Sequence, residues 1–240
     1  MESQTLIPGT PSSRRDFFKR AGVGAGVLAT ASALQACDSI VEVDPPVVGP
    51  SVTLNFATDK GVLNYAYALE QLEYAFYVKV LESPYAGITT AETELFTDLR
   101  AHEGIHRDFL KGALGSDAIA NLTVNFSAID FRLRSSVLAA AITFEDLGVA
   151  AYNGAGKFLR SADLLTIAGK IVSVEARHAS AIRDIILRTR SGATIGEAGS
   201  GLPEVVGANA LDRALEPRAV LDERTGAGAF VTETFNVTGL

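Results

Sequence analysis

Glu103-Gly104-Ile105-His106 and Glu175-Ala176-Arg177-His178 are two copies of one short pattern: a glutamate followed three residues later by a histidine. The chain has 240 residues with 3 histidines. Glutamate occupies 15 positions, so chance would rarely put one three residues before two of those histidines. Residues three apart share a helix face, and each pair can present an oxygen and a nitrogen to one point. Apolar residues recur around both copies at three- and four-residue steps, the mark of an amphipathic helix. Leu95, Leu99, Leu110 and Ala113 flank the first copy, in a helix predicted over residues 90–114. Leu165, Ala168, Ile171, Ile182 and Ile185 flank the second, in a helix over 162–190.

Two further helical patterns precede these. One runs over residues 59–82, with Leu63, Ala66, Leu69, Phe76 and Val80 on its stripe and Asp59 as the expected N-cap. The other runs over 132–159, with Val137, Leu138, Ala141, Ile142 and Val149. Each carries one glutamate on the apolar face, Glu70 and Glu145. Leu69-Glu70-Gln71-Leu72 with Tyr77 resembles Phe144-Glu145-Asp146-Leu147 with Tyr152, so the chain reads as two copies of one helical hairpin. The repeat favours Glu70 over Glu73, because position 73 corresponds to Gly148; Glu73 is expected to be a solvated or paired helix residue, with lining an entry path as the alternative. Short links within each hairpin imply antiparallel partners. The link 115–131 is long enough to run the length of a bundle. A four-helix bundle with one long crossover follows, an all-α fold.

Glu70, Glu103, Glu145 and Glu175 thus face the core from four different helices. Buried carboxylates are costly unless paired or bound to metal. Together with His106 and His178 they resemble the di-iron carboxylate site of the ferritin-like superfamily, over roughly residues 59–190. The resemblance implies that Glu103 and Glu175 bridge two metals, that Glu70 and His106 complete one, and that Glu145 and His178 complete the other. It implies two Fe ions as cofactor, with Mn as the alternative, and a reaction with oxygen or peroxide such as a ferroxidase or peroxidase performs. A manganese catalase-like enzyme shares the fold, and a metal-free protective protein of stress or drying is the non-enzymatic alternative. Tyr77 and Tyr152 lie two turns from Glu70 and Glu145. They read as hydrogen-bonding supports of the site, as a radical relay, or as plain core aromatics. His102 is expected on the flank of its helix, with a supporting contact to the site as the alternative, and Arg177 is expected to pair with a carboxylate of a neighbouring helix.

Outside the bundle, Ser13-Arg14-Arg15-Asp16-Phe17-Phe18-Lys19 resembles a twin-arginine export motif, followed by an apolar stretch too short to span a bilayer. Residues 1–37 therefore read as a signal peptide. Leu34-Gln35-Ala36-Cys37 resembles a bacterial lipobox, with Cys37, the only cysteine, as the lipidated residue. An exported protein of the periplasm or cell envelope follows, held to a membrane only by such a lipid anchor. An exported ferritin-like domain also resembles bacterial relatives of the desiccation-related proteins. Residues 38–58, rich in Pro and Val, read as a tether. The formal charge of −7 argues against nucleic-acid binding. A homodimer is compatible with the sequence; a tethered chain with a long tail fits poorly into a closed storage shell. Residues 191–240 lack helical periodicity and read as an irregular extension. Ser51–Phe56, Leu122–Phe126 and Thr234–Thr238 are strand-like stretches that could form a small edge sheet.

Overall fold

The computed structural model describes residues 50–188, 209–222 and 224–240. The export signal, Cys37 and most of the tether lie outside them. Four long helices carry the domain: α1 (Asp59–Glu82), α2 (Thr90–Leu114), α3 (Arg134–Ala155) and α4 (Ala162–Arg188). The ends of α1 and α2 fall where the sequence put them. The third pattern, expected over 132–159, ends its α-helix at Ala155 and tightens into a 3₁₀ turn at Gly156–Phe158. No helix among the described residues is long and apolar enough to cross a membrane.

Local chemistry sets the helix ends. Thr58, rather than the expected Asp59, caps α1, its side chain accepting from Gly61 N. Asp59 is free to reach further and accepts from the backbone N–H groups of Arg160 and Ser161, tying the start of α1 to the α3–α4 turn. Thr89 and Glu92 form a reciprocal capping box at the start of α2. Glu92 also accepts from Arg134 at the start of α3, 2.6 Å away. The starts of α2 and α3 are therefore neighbours, and the crossover between them travels back along the length of α2, about 37 Å. It lies on α1 as it goes. Asn64 bonds Asp117 O and Ile119 N, and Gln71 accepts from Leu122 N.

α1 packs chiefly on α2 and α3 on α4, with α1 also touching α3 and α2 touching α4. This is the arrangement of two paired hairpins. The core is rich in aromatics: Phe76 meets Phe144 edge to face at 5.0 Å, and Phe144 meets Phe230 at 4.8 Å. Asp146 on α3 pairs with the buried Arg183 on α4 at 2.6 Å.

The described part of the tail is largely irregular, as expected, and carries a few short elements. β1 (Ser51–Asn55) pairs in parallel with β2 (Thr234–Thr238), Ser51 opposite Thr234 and Asn55 opposite Thr238. The end of the expected tether is thus a strand, because its alternating residues find a partner from the other end of the chain. Val124 of the third strand-like stretch forms a single antiparallel bridge with Val231 instead of joining that sheet. Between them the tail makes a short helix, α5 (Pro217–Val220), which rests on α3. Leu215 N donates to Ala150 O, and the backbone there passes so close to Gly154 that a Cβ would stand 1.8 Å from Leu215 O. Only glycine allows that approach.

Candidate metal centre

Each helix brings one glutamate to the middle of the bundle. Glu70, Glu103, Glu145 and Glu175 are all fully buried. The helical spacing of three carries His106 and His178 to the same region from α2 and α4. Each imidazole turns Nδ1 toward three carboxylates. His106 Nδ1 lies 3.4 Å from Glu70, 3.2 Å from Glu103 and 3.1 Å from Glu175. His178 Nδ1 lies 2.8 Å from Glu103, 3.2 Å from Glu145 and 3.8 Å from Glu175. Two overlapping sets of converging atoms result: Glu70, Glu103, His106 and Glu175, and Glu103, Glu145, Glu175 and His178. Glu103 and Glu175 belong to both.

The orientation of these atoms bears on whether metal ions fit. Glu70 Oε2, Glu103 Oε1, Glu145 Oε2, both oxygens of Glu175 and His178 Nδ1 are buried and lack a hydrogen-bond partner. His178 Nδ1 and Glu103 Oε1 lie 2.8 Å apart without forming a hydrogen bond. Buried polar groups normally find hydrogen-bond partners, and six orphaned donor atoms at one point fit a cation. Four carboxylates with two imidazoles form a donor set suited to divalent iron or manganese.

Without a cation the histidines take up the positive charge. Burial opposes protonation of His106 and His178. The nearby carboxylates of Glu103, Glu175 and Glu70 around His106, and of Glu103, Glu145 and Glu175 around His178, outweigh it and push each pKa up to about 12. Burial works the other way on Glu103, where the two imidazoles win and hold it down at about 2. Glu70 is pushed up to about 8 by burial and the charge of Glu175, despite His106. Burial also raises Glu145 well above the carboxylate range.

The tyrosines reach across the bundle. Tyr77 on α1 donates to Glu145 on α3, and Tyr152 on α3 donates to Glu70 on α1 at 2.5 Å. Burial and these carboxylates keep both phenols protonated. They are thus both core aromatics and hydrogen-bond partners of the glutamates.

Three expectations need correction. Glu73 is not solvated and has no basic partner among the described ion pairs; it is 3% exposed and stands beside Gly148. His102 takes the alternative reading rather than the flank: its ring stacks on His178 at 5.2 Å and 5°, with Nδ1 2.9 Å from His178 Nε2. The position of His178 on α4, which the spacing of α2 alone does not give, creates this contact. Arg177 does not reach a neighbouring carboxylate. It donates to Ser173 on its own helix, and Arg183 makes the cross-helix ion pair instead. Leu99, His102, Ile105, His106, Arg177 and His178 line a pocket of about 330 Å³ between α2 and α4, so both imidazoles border an opening to the surface.

A helical bundle of paired hairpins with glutamates and Glu-x-x-His pairs at its centre defines a class of carboxylate-lined bundles. The family model of the ferritin-like domain matches residues 58–188, more than half of the chain, and the chain belongs to that family. None of the curated proteins compared matches it.

Proposed function

We propose that the protein holds a dinuclear non-haem metal centre, two Fe ions with Mn as the alternative, and reacts with oxygen or peroxide outside the cytoplasm in protection against oxidative or drying stress. The observation that carries the metal centre is the set of orphaned donor atoms converging from four helices. Glu70 and His106 would serve one ion, Glu145 and His178 the other, and Glu103 and Glu175 both. Two such ions supply a two-electron change at one place, which reduction of oxygen or peroxide requires.

The chain's own residues do the rest. The four glutamates offset the charge of two divalent ions at a site whose carboxylates are all buried. Tyr152 and Tyr77 hold Glu70 and Glu145 in fixed orientation by hydrogen bonds. His102 accepts from, or donates to, the far nitrogen of His178 and fixes the ring plane. The pocket between α2 and α4 gives a small molecule a way to the two imidazoles. Export rests on the resemblance of Arg14-Arg15 and its surroundings to a twin-arginine signal, and a lipid anchor rests on Cys37.

The test is to load reduced protein with Fe(II) without oxygen, then add oxygen or peroxide. Consumption of either with a change in visible absorption, lost in Glu103→Ala, supports the reading. Iron that stays reduced in its presence rejects it. Turnover of peroxide by the Mn-loaded form alone moves the reading to the catalase-like alternative.

A further inference from the structure

The site is close to two-fold symmetric. Glu70 and Glu145, Tyr77 and Tyr152, and the two Glu-x-x-His pairs match across the hairpins. Apart from His102, whose counterpart before Glu175 is Val174, the match fails at one place. Three residues after Glu70, α1 carries Glu73; three residues after Glu145, α3 carries Gly148.

The two exceptions meet in space. Glu73 Oε1 lies 3.0 Å from the point where a Cβ on Gly148 would stand, and Glu175 Oε2 lies 3.5 Å from that same point. The carboxyl of Glu73 therefore ends in the room that glycine leaves, next to a glutamate common to both donor sets. The two imidazoles meet Glu70, Glu103, Glu145 and Glu175, and neither meets Glu73. A fifth buried carboxyl without a basic partner, among four others, is unfavourable for a metal-free fold. An apolar side chain would pack the same space better. Glu73 also stands midway along the site: it follows Glu70 by one turn and precedes by one turn Tyr77, whose hydroxyl reaches Glu145. It lies beside the two converging sets rather than within either.

We infer that Glu73 is a seventh ligand of the metal pair, supplied from the α1–α3 side, and that Gly148 is the clearance that admits it. The inference rests on the dinuclear centre proposed above. It makes the two hairpins unequal: the first gives two carboxylates from its leading helix, the second gives one.

Cobalt(II) is the probe, because its d–d absorption reports the ligand set without any turnover. The wild-type chain, Glu73→Gln, Glu73→Met and Gly148→Ala are titrated with cobalt(II) without oxygen. In Glu73→Gln at least one ion is expected to bind about 10-fold more weakly or worse, with altered d–d bands. Gly148→Ala crowds Glu73 Oε1 while leaving every carboxylate in place, and is expected to move the same bands. Glu73→Met removes a buried acid and is expected to raise the melting temperature of the metal-free protein while weakening cobalt binding; a purely structural role for Glu73 gives the opposite stability change and no affinity change. If the wild type binds two ions and all three variants match its affinity and spectrum, Glu73 is not a ligand and only this inference falls. If the wild type binds no cobalt, the dinuclear centre falls with it.

Discussion

Tyr77 and Glu145 belong to different hairpins, yet the phenol of the first donates to the carboxyl of the second in the middle of the core. Tyr152 and Glu70 repeat the bond in the opposite direction. The repeated sequence is therefore not two hairpins each supporting its own glutamate. Each copy orients the glutamate of the other.

Tyr77→Phe should remove the donor and leave Glu145 Oε1 buried without it. The expected loss of stability for the metal-free protein is about 1–3 kcal/mol, read by urea unfolding. Unchanged stability would mean that the phenol contributes nothing to holding the carboxyl.

Metal binding should release protons. His106 and His178, pushed up to about 12, and Glu70, pushed up to about 8, are protonated near neutrality in the metal-free protein. A metal must displace those protons. Apparent affinity should therefore rise as pH is raised from about 6 to about 8, with acid released into weakly buffered solution. An affinity independent of pH would contradict this assignment of protons.

The stability of the metal-free fold has its own pH dependence. The raised pKa of Glu70 favours its neutral form in the fold, so the group contributes no penalty below its unfolded value near 4.5 and a growing one as pH rises toward about 8. The histidine contribution is present in full below about 6.5 and is lost progressively as pH rises from there toward about 12. Glu103, held down at about 2, contributes above its usual range and loses that contribution as acid takes pH toward about 2. From about pH 5 to about pH 8 the Glu70 penalty grows while the histidine contribution begins to fade, so the melting temperature of the metal-free protein should fall. A rise over that window would contradict the charge arrangement described.

His102→Ala should weaken the hold on His178 without touching any ligand. The expected effect is about 10-fold weaker binding of one ion and little change at the other, seen as two separated steps in a metal titration. A variant that binds both ions like the wild type would show that the ring contact is incidental.

Much of this was legible in the chain itself. The four glutamates and two histidines could be placed on one face each because helical periodicity is a local signal. α1 and α2 end where caps and Ser83-Pro84 or Gly115 punctuate the sequence. The repeat that located Glu70 also hid Glu73: opposite a glycine, position 73 looked like a residue without a counterpart, whereas the glycine is what makes room for it. His102 was obscured for a related reason. Its angle on α2 is readable, but its partner comes from α4, 76 residues away. The pairing of β1 with β2 joins the two ends of the described chain, and no local pattern encodes which strand meets which.

Gly154→Ala tests how the tail is held. A Cβ there falls 1.8 Å from Leu215 O, so the backbone between residues 209 and 217 must move off α3. A loss of about 1–3 kcal/mol is expected, with faster proteolysis after residue 209. A variant cut no faster than the wild type would show that the segment is held elsewhere.

The most direct test of the central claim is a count of metal per chain, made by elemental analysis on protein loaded anaerobically with Fe(II) and freed of excess. About two ions per wild-type chain, falling sharply in both Glu103→Ala and His178→Ala while the helical circular dichroism is kept, is the result expected. Fewer than one ion per wild-type chain, or a count that neither substitution changes, would contradict it.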